Sequence, residues 1–97
     1  MATLHVLSHS PFSDSRLESC LRLLAVNDAL LLCGDAVYGT VPGTPASARL
    51  APLANRLYAL SEDLQGRNIE PDLSIQRIDY ARFVQLSIEF DRVNTWL

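Results

Sequence analysis

Cys20 and Cys33 are the strongest potential nucleophiles in this chain of 97 residues, because a thiolate attacks sulfur far more readily than a hydroxyl does. A thiolate at either position would accept sulfur at a rate set by its ionised fraction and its access. Cys33 ends the most apolar run of the sequence, residues 29–33, and we interpret it as inert core. Cys20 is therefore the candidate catalytic residue, as a nucleophile.

The sequence around Cys20 leaves two interpretations open. An apolar stripe with the spacing of an amphipathic helix would place the thiol in the core; its members are Leu17, Cys20, Leu21 and Leu24. Arg16 lies one turn earlier on the same side, and its charge would stabilise a thiolate relative to the free pKa of about 8.5. These residues alone do not decide between a core thiol and a sulfur carrier.

Other kinds of site find little support, and we expect no metal and no cofactor. His5 and His9 fall on a strand and a turn, and the cysteines lack CxxC spacing, whereas a zinc site needs at least three protein ligands. The segment 34–39 has two glycines but lacks the Lys-Ser/Thr ending of a phosphate loop. Asp35 follows a buried strand, where open α/β sheets bind ligands, and we interpret it as a turn residue.

Charge and composition restrict the partners and the compartment. The net charge is −3, and all eight basic residues are arginines scattered along the chain, so we expect no direct contact with nucleic acid. No apolar run approaches the ~20 residues needed to span a bilayer. Residues 1–3 lack the basic start of a signal peptide. We therefore expect a cytoplasmic protein, with no membrane contact and with reduced thiols.

The elements that must position Cys20 alternate along the chain. Apolar or alternating runs predict strands over residues 4–7, 29–33, 56–60 and 73–78. Helices are predicted after a cap at Ser13 or Asp14, from Ser61 to Gly66, and from a cap at Asp79 to about Phe90. Strands separated by helices indicate the α/β class. We expect a single small domain over residues 1–97, with a mostly parallel sheet flanked by helices.

The last predicted helix carries more apolar surface than one core requires. Its apolar arc is about 200° wide, whereas a helix packed on one core needs about 100° or somewhat more. Two explanations are open: residues 93–97 fold back over the helix, or the surplus forms a subunit interface. Trp and Phe are enriched in interface cores, and we therefore favour an oligomer.

The whole chain resembles the DsrH/TusB family of small subunits from bacterial sulfur-relay complexes. The resemblance runs in order over nearly the full length, in blocks that are unremarkable singly. The blocks are Leu4-His5-Val6-Leu7-Ser8-His9-Ser10-Pro11-Phe12, Leu17-Glu18-Ser19-Cys20-Leu21, Leu30-Leu31-Leu32-Cys33-Gly34-Asp35-Ala36-Val37-Tyr38, Leu57-Tyr58-Ala59-Leu60-Ser61-Glu62-Asp63-Leu64, Ile78-Asp79-Tyr80-Ala81-Arg82-Phe83-Val84 and Trp96-Leu97.

The resemblance implies a fold of the DsrE/DsrF/DsrH type and assembly with TusC/DsrF-like and TusD/DsrE-like subunits as a dimer of heterotrimers. In the TusB branch such a complex passes persulfide sulfur toward 2-thiolation of the tRNA wobble uridine. In the DsrH branch it serves dissimilatory sulfur oxidation. The main persulfide-carrying cysteine of the family belongs to the TusD/DsrE-like subunit, which implies an accessory subunit here. A cysteine matching Cys20 occurs in DsrH-type members and is missing from some TusB members.

Three functions therefore remain as hypotheses. The first is a TusBCD-type relay subunit that supports tRNA thiolation, and the second is a DsrEFH-type subunit of sulfur oxidation. The third is a stand-alone thiol sulfurtransferase that uses Cys20 as its nucleophile.

Overall fold

The computed structural model describes residues 2–71 and 75–96, in which five strands form one sheet with helices on both faces. The strands are β1 (Thr3–Leu7), β2 (Ala29–Leu32), β3 (Leu57–Leu60), β4 (Gln76–Ile78) and β5 (Arg92–Trp96). The α-helices are α1 (Arg16–Leu23), α2 (Pro45–Leu50), α3 (Ser61–Gly66) and α4 (Tyr80–Glu89). Two 3₁₀ helices, Gly34–Thr40 and Ala51–Arg56, flank α2.

The strand order is β4-β3-β2-β1-β5, and every neighbouring pair is parallel. From β1 to β4 the chain moves one strand at a time in one direction, so right-handed crossovers place α1, α2 and α3 on the same face. The step from β4 to β5 returns across the whole sheet, which places α4 on the opposite face. The predicted α/β class with a parallel sheet flanked by helices is confirmed.

Each face of the sheet has its own core, because side chains alternate along every strand. Leu7, Leu30 and Leu57 point toward α1–α3, where they pack with Leu17, Cys20, Leu50 and Leu64. Leu4, Val6 and Leu31 point toward α4 and pack with Leu86. β2 is buried on both faces, which explains its unbroken apolar sequence.

The predicted cap of the last helix is confirmed, whereas α1 is preceded by Ser15 rather than by Ser13 or Asp14, and Ser15 makes no side-chain capping bond to the residues that the structure describes. The side chain of Asp79 accepts a hydrogen bond from the Arg82 amide at the start of α4. At the start of α1, Asp14 accepts from the amide of Arg16. Both carboxylates thereby satisfy an amide that has no partner within its helix. The predicted fourth strand begins at residue 73, and residues 72–74 lie outside the described part of the chain.

The C-terminal segment differs from the expectation. Residues 92–96 form β5, which pairs in parallel with β1 at one edge of the sheet. The hypothesis that this segment covers the last helix is wrong, because the outer side of α4 remains exposed. The physical reason is that pairing with β1 satisfies the backbone groups of the segment, which packing on a helix would leave unpaired.

Candidate functional site

Cys20 lies on the inner face of α1 and has no solvent-exposed surface. It belongs to the core cluster beneath α1, together with Leu7, Leu17 and Leu30. A surface groove of about 530 Å³ between the β1–α1 loop and α2 is lined by Leu17, one turn before Cys20. The structure therefore places this thiol in the apolar stripe that the helical spacing predicts.

The surroundings of Cys20 oppose ionisation. Burial, and secondly the negative charge of Asp28, raise the pKa of the Cys20 thiol to about 12. Arg16, which we expected to stabilise a thiolate, forms an ion pair with Asp14. The pKa of Cys20 therefore moves opposite to the direction that the charge of Arg16 alone would give. Whether Cys20 carries sulfur stays a prediction.

Cys33 is the more accessible of the two thiols. It follows β2 at the carboxyl ends of the parallel strands and is only half-buried. Its thiol points to the carbonyl oxygen of Leu7, with a sulfur–oxygen distance of 3.4 Å. Burial and the carboxylate of Asp63 raise the pKa of Cys33 as well. Asp63 is held there because it accepts a hydrogen bond from the amide of Gly34 at 2.8 Å.

A buried polar chain that sequence reasoning missed runs from the loop between α1 and β2, across β1, to the end of β5. His5 on β1 contacts the carboxylate of Asp28 through Nε2 at 3.1 Å, and the indole N–H of Trp96 donates to its Nδ1 at 3.1 Å. A histidine between Leu4 and Val6 on a buried strand was the available signal, because a buried polar side chain needs partners.

The other sequence candidates do not converge on a site. His5 is buried whereas His9 is exposed, so the two do not act together. Asp35 is exposed and binds the guanidinium of Arg67 at 2.8 Å. Within residues 2–71 and 75–96, no group of three or more His, Cys, Asp or Glu side chains is placed to hold a metal ion.

The apolar arc of α4 divides into two stripes with different surroundings. Phe83, Leu86 and Phe90 face the sheet and pack against its second core. The second stripe, which we call the outer stripe, consists of Tyr80, Val84 and Ile88, spaced four residues apart. These side chains are 51%, 59% and 78% exposed. The outer stripe is therefore an apolar surface that no described part of the chain covers.

The described helices were compared with the length that a membrane-spanning helix needs. The longest helix, α4, has ten residues. No helix in the described ranges is long and apolar enough to cross a bilayer.

Sequence comparison identifies a protein family and relatives that match nearly the whole chain. The family model described as "DsrH like protein" matches residues 9–93. Protein TusB of Pectobacterium atrosepticum is 37% identical over 95 residues, covering 96% of this chain and 99% of the relative. Protein TusB of Salmonella arizonae is 36% identical with the same coverage.

A solved structure supports the fold independently of sequence. The crystal structure of the YchN protein from Escherichia coli superimposes with a TM-score of 0.78 over 99% of this chain and 100% of that chain. The two are only 16% identical, so the likeness concerns the fold alone. Because the family model and the TusB relatives both span nearly the whole chain, the chain belongs to the DsrH/TusB family.

Proposed function

We propose that this chain is an accessory subunit of a cytoplasmic sulfur-relay complex, and that the complex serves 2-thiolation of the tRNA wobble uridine. Family membership supports the relay role, and the TusB relatives, 36% to 37% identical over 96% of the chain, favour the tRNA branch. The observation that carries the accessory role is the complete burial of Cys20 in the free chain. A buried thiol with a pKa of about 12 has almost no thiolate at neutral pH.

The chemistry of the relay explains why access matters. A thiolate attacks the outer sulfur of a donor persulfide, a new S–S bond forms, and the donor leaves as a thiolate. The S–S bond of the donor breaks as the new one forms, so no cofactor or external oxidant is required. In the isolated chain Cys20 meets neither condition, since it is neither ionised nor exposed. We therefore assign the main persulfide to a TusD/DsrE-like partner, as the family implies.

The outer stripe of α4 supports assembly with that partner and with a TusC/DsrF-like subunit. Tyr80, Val84 and Ile88 form a row along one helix, and apolar rows of this kind are typical of interface cores. The row itself contains no charged side chain, and Arg82 and Glu89, which bind each other at 2.7 Å, lie on a different side of α4 at about 100° per residue. A neutral apolar row suits a partner that offers another apolar surface. We propose a dimer of heterotrimers.

Assembly is tested by co-expressing the chain with its TusC/DsrF-like and TusD/DsrE-like partners and measuring mass by light scattering after size exclusion. The double variant Val84→Asp/Ile88→Asp should leave the complex, because two carboxylates would be desolvated in the interface. The matched control is Leu23→Asp/Val26→Asp, which changes side chains that are 65% and 87% exposed but lie away from α4. The control should assemble normally. Equal assembly of both double variants would contradict the proposed interface.

The role of Cys20 is tested in the assembled complex with a persulfide donor. Cys20→Ala is the suitable variant, because serine would leave a hydroxyl in an apolar core at a cost of about 1–3 kcal/mol. We expect sulfur to reach the TusD/DsrE-like cysteine at a rate within about twofold of the wild-type complex. A much larger loss with intact assembly would instead favour Cys20 as a sulfur carrier.

The presence of Cys20 favours one second candidate, a DsrEFH-type subunit of sulfur oxidation. Deletion of the gene followed by mass spectrometry of tRNA nucleosides distinguishes the two pathways. Loss of 2-thiouridine derivatives is expected for the tRNA branch. An unchanged nucleoside profile would support the sulfur-oxidation branch.

A further inference from the structure

The polar chain Asp28–His5–Trp96 connects three distant parts of the sequence inside the fold. His5 is 5% exposed on β1, Asp28 is equally buried before β2, and Trp96 is the last described residue of β5. The ring of Trp96 lies 6.2 Å from the ring of His5, centroid to centroid. These three hydrogen-bonded side chains therefore connect the C-terminal edge strand with the first strand and with the loop after α1.

Hydrogen-bond chemistry determines the protonation of His5 in this chain. An indole nitrogen donates and cannot accept, so the Nδ1 of His5, 3.1 Å from the Trp96 nitrogen, must be the unprotonated acceptor. Neutral His5 then carries its proton on Nε2, which faces the carboxylate of Asp28 at 3.1 Å. The donor order runs from Trp96 to His5 to Asp28.

The Asp28 end of the chain is held in place. Its carboxylate accepts backbone hydrogen bonds from Thr3 and Ala25, each at 2.9 Å, in addition to the contact with His5. Burial raises the pKa of Asp28, but the bonds from Ala25, Thr3 and His5 together hold it below its ordinary value. Asp28 is thus a fixed anion. Of the two contacts of His5, the hydrogen bond from Trp96 is the one that can break.

β5 depends on contacts at its two ends. Near its start, the Ala2 amide binds the carboxylate of Asp91 at 2.8 Å. Near its end, Trp96 binds His5, while the four residues between, Arg92–Thr95, are exposed. Loss of the Trp96 bond would leave the end of an exposed edge strand with its ladder to β1 and the packing of the Trp96 ring against the core beneath α1, but with no side-chain hydrogen bond there.

We infer that His5 is a proton-sensitive tether of the C-terminal strand: when it takes up a second proton, it releases Trp96 and loosens the end of β5. A doubly protonated imidazole donates from both nitrogens, so its Nδ1–H meets the Trp96 N–H, and two donors repel. The contact with Asp28 survives, because a charged His5 still donates from Nε2. The sheet therefore stays intact while its last strand loosens.

The groups that face His5 make this proton uptake possible. Asp28 supplies the negative charge from the α1–β2 loop, and Cys20 lies near Asp28 on α1. Arg92 of β5 lines a surface cavity of about 380 Å³ shared with His5 and Asp28. Arg56 binds the carbonyl oxygen of Asp28 from the segment before β3. The cavity gives a solvent proton access to the ring.

The test is nuclear magnetic resonance of the ¹⁵N-labelled full chain, with the histidine ring nitrogens and the indole N–H followed against pH. At neutral pH His5 should be protonated on Nε2, and the indole signal of Trp96, the only tryptophan, should shift with the His5 titration. Exposed His9 provides an internal reference. Protonation of His5 on Nδ1 at neutral pH, or an indole signal that ignores the titration, would overturn the inference.

A variant tests whether protonation of His5 is linked to the attachment of β5 through Trp96. In Trp96→Phe the opposing donor is gone, so the affinity of His5 for its second proton should rise about three- to tenfold. Thr95→Ala is the control, because Thr95 is exposed, pairs with Val6 of the core on the α4 side of the sheet, and should leave the His5 midpoint unchanged. Equal midpoints in wild type and Trp96→Phe would refute the tether. If Trp96→Phe fails to fold, the wild-type tautomer and indole titration still decide.

Discussion

At the scale of single residues, burial controls the chemistry of both thiols more strongly than neighbouring charges do. Burial is the larger cause of the raised pKa at Cys20 and at Cys33. The apolar spacing around Cys20 correctly predicted that it belongs to a helix stripe. That spacing could not predict how completely the thiol is buried. Depth depends on what packs over α1, and this is a property of the assembled core.

Alkylation should distinguish the two thiols in the isolated native chain. A pKa of about 12 in place of 9.0 lowers the thiolate fraction of Cys20 at neutral pH by about 1,000-fold. Cys33 is half-buried, and we expect iodoacetamide to modify it much faster than Cys20. Mass spectrometry of Cys20→Ala and Cys33→Ala isolates each thiol. Modification of Cys20 as fast as in the urea-unfolded chain would contradict its burial.

Asp28 should make stability depend on pH in the acid range. Its folded pKa lies below the ordinary 3.8, so its stabilisation is complete above that value and is lost as the pH falls through the folded pKa. Asp28→Asn should lower the free energy of unfolding by about 1–3 kcal/mol at neutral pH, because buried donors lose a charged acceptor.

The pH profile of that difference gives the sharper check. Urea unfolding from about pH 5 to pH 2 should show the gap between wild type and Asp28→Asn closing below 3.8. Asp35→Asn is the control, since Asp35 is exposed and its ion pair with Arg67 contributes about 1 kcal/mol or less. A gap that stays constant down to pH 2 would show that Asp28 has no depressed folded pKa.

At the scale of elements, α4 shows what a periodic pattern can and cannot determine. Its start, its end and its excess apolar arc were all predictable, because capping and period are local properties. The division of the arc into Phe83, Leu86 and Phe90 on the inside and the outer stripe on the outside was not. Which stripe faces inward depends on the rotation of α4 on the sheet.

The Asp79 cap gives a test at this scale. Asp79→Ala removes the acceptor for the Arg82 amide and should lower the free energy of unfolding by about 1 kcal/mol. Ser15→Ala is a matched control at the start of α1, because the Ser15 side chain makes no capping bond to any described residue. The control should change stability by a few tenths of a kcal/mol. Equal losses, measured by urea unfolding with circular dichroism, would contradict the capping role of Asp79.

At the scale of the whole molecule, the pairing of most arginines within the fold supports the prediction that this chain makes no direct contact with nucleic acid. Five arginines bind carboxylates within the chain, and Arg56 binds backbone carbonyls: the pairs are Arg16–Asp14, Arg49–Glu18, Arg67–Asp35, Arg77–Glu70 and Arg82–Glu89. Neutralised guanidinium groups release few counterions from a phosphate backbone.

The isolated chain should not bind tRNA. Filter binding at about 0.15 M salt should give a dissociation constant weaker than about 10⁻⁴ M, the weak end of nonspecific binding. The assembled complex is the comparison, because a partner subunit would supply the RNA contact. Micromolar binding by the isolated chain would contradict this prediction.

The sequence by itself determined the α/β class, four of the five strands, three of the four α-helices and the family, because these depend on local periodicity, caps and the order of residues along the chain. Tertiary structure alone decided that residues 92–96 form β5 beside β1 and that His5, Asp28 and Trp96 meet. It also decided that Cys20 is fully buried while the outer stripe of α4 is not. These features join residues up to 91 positions apart. Such contacts depend on strand order and helix rotation, which no local pattern encodes.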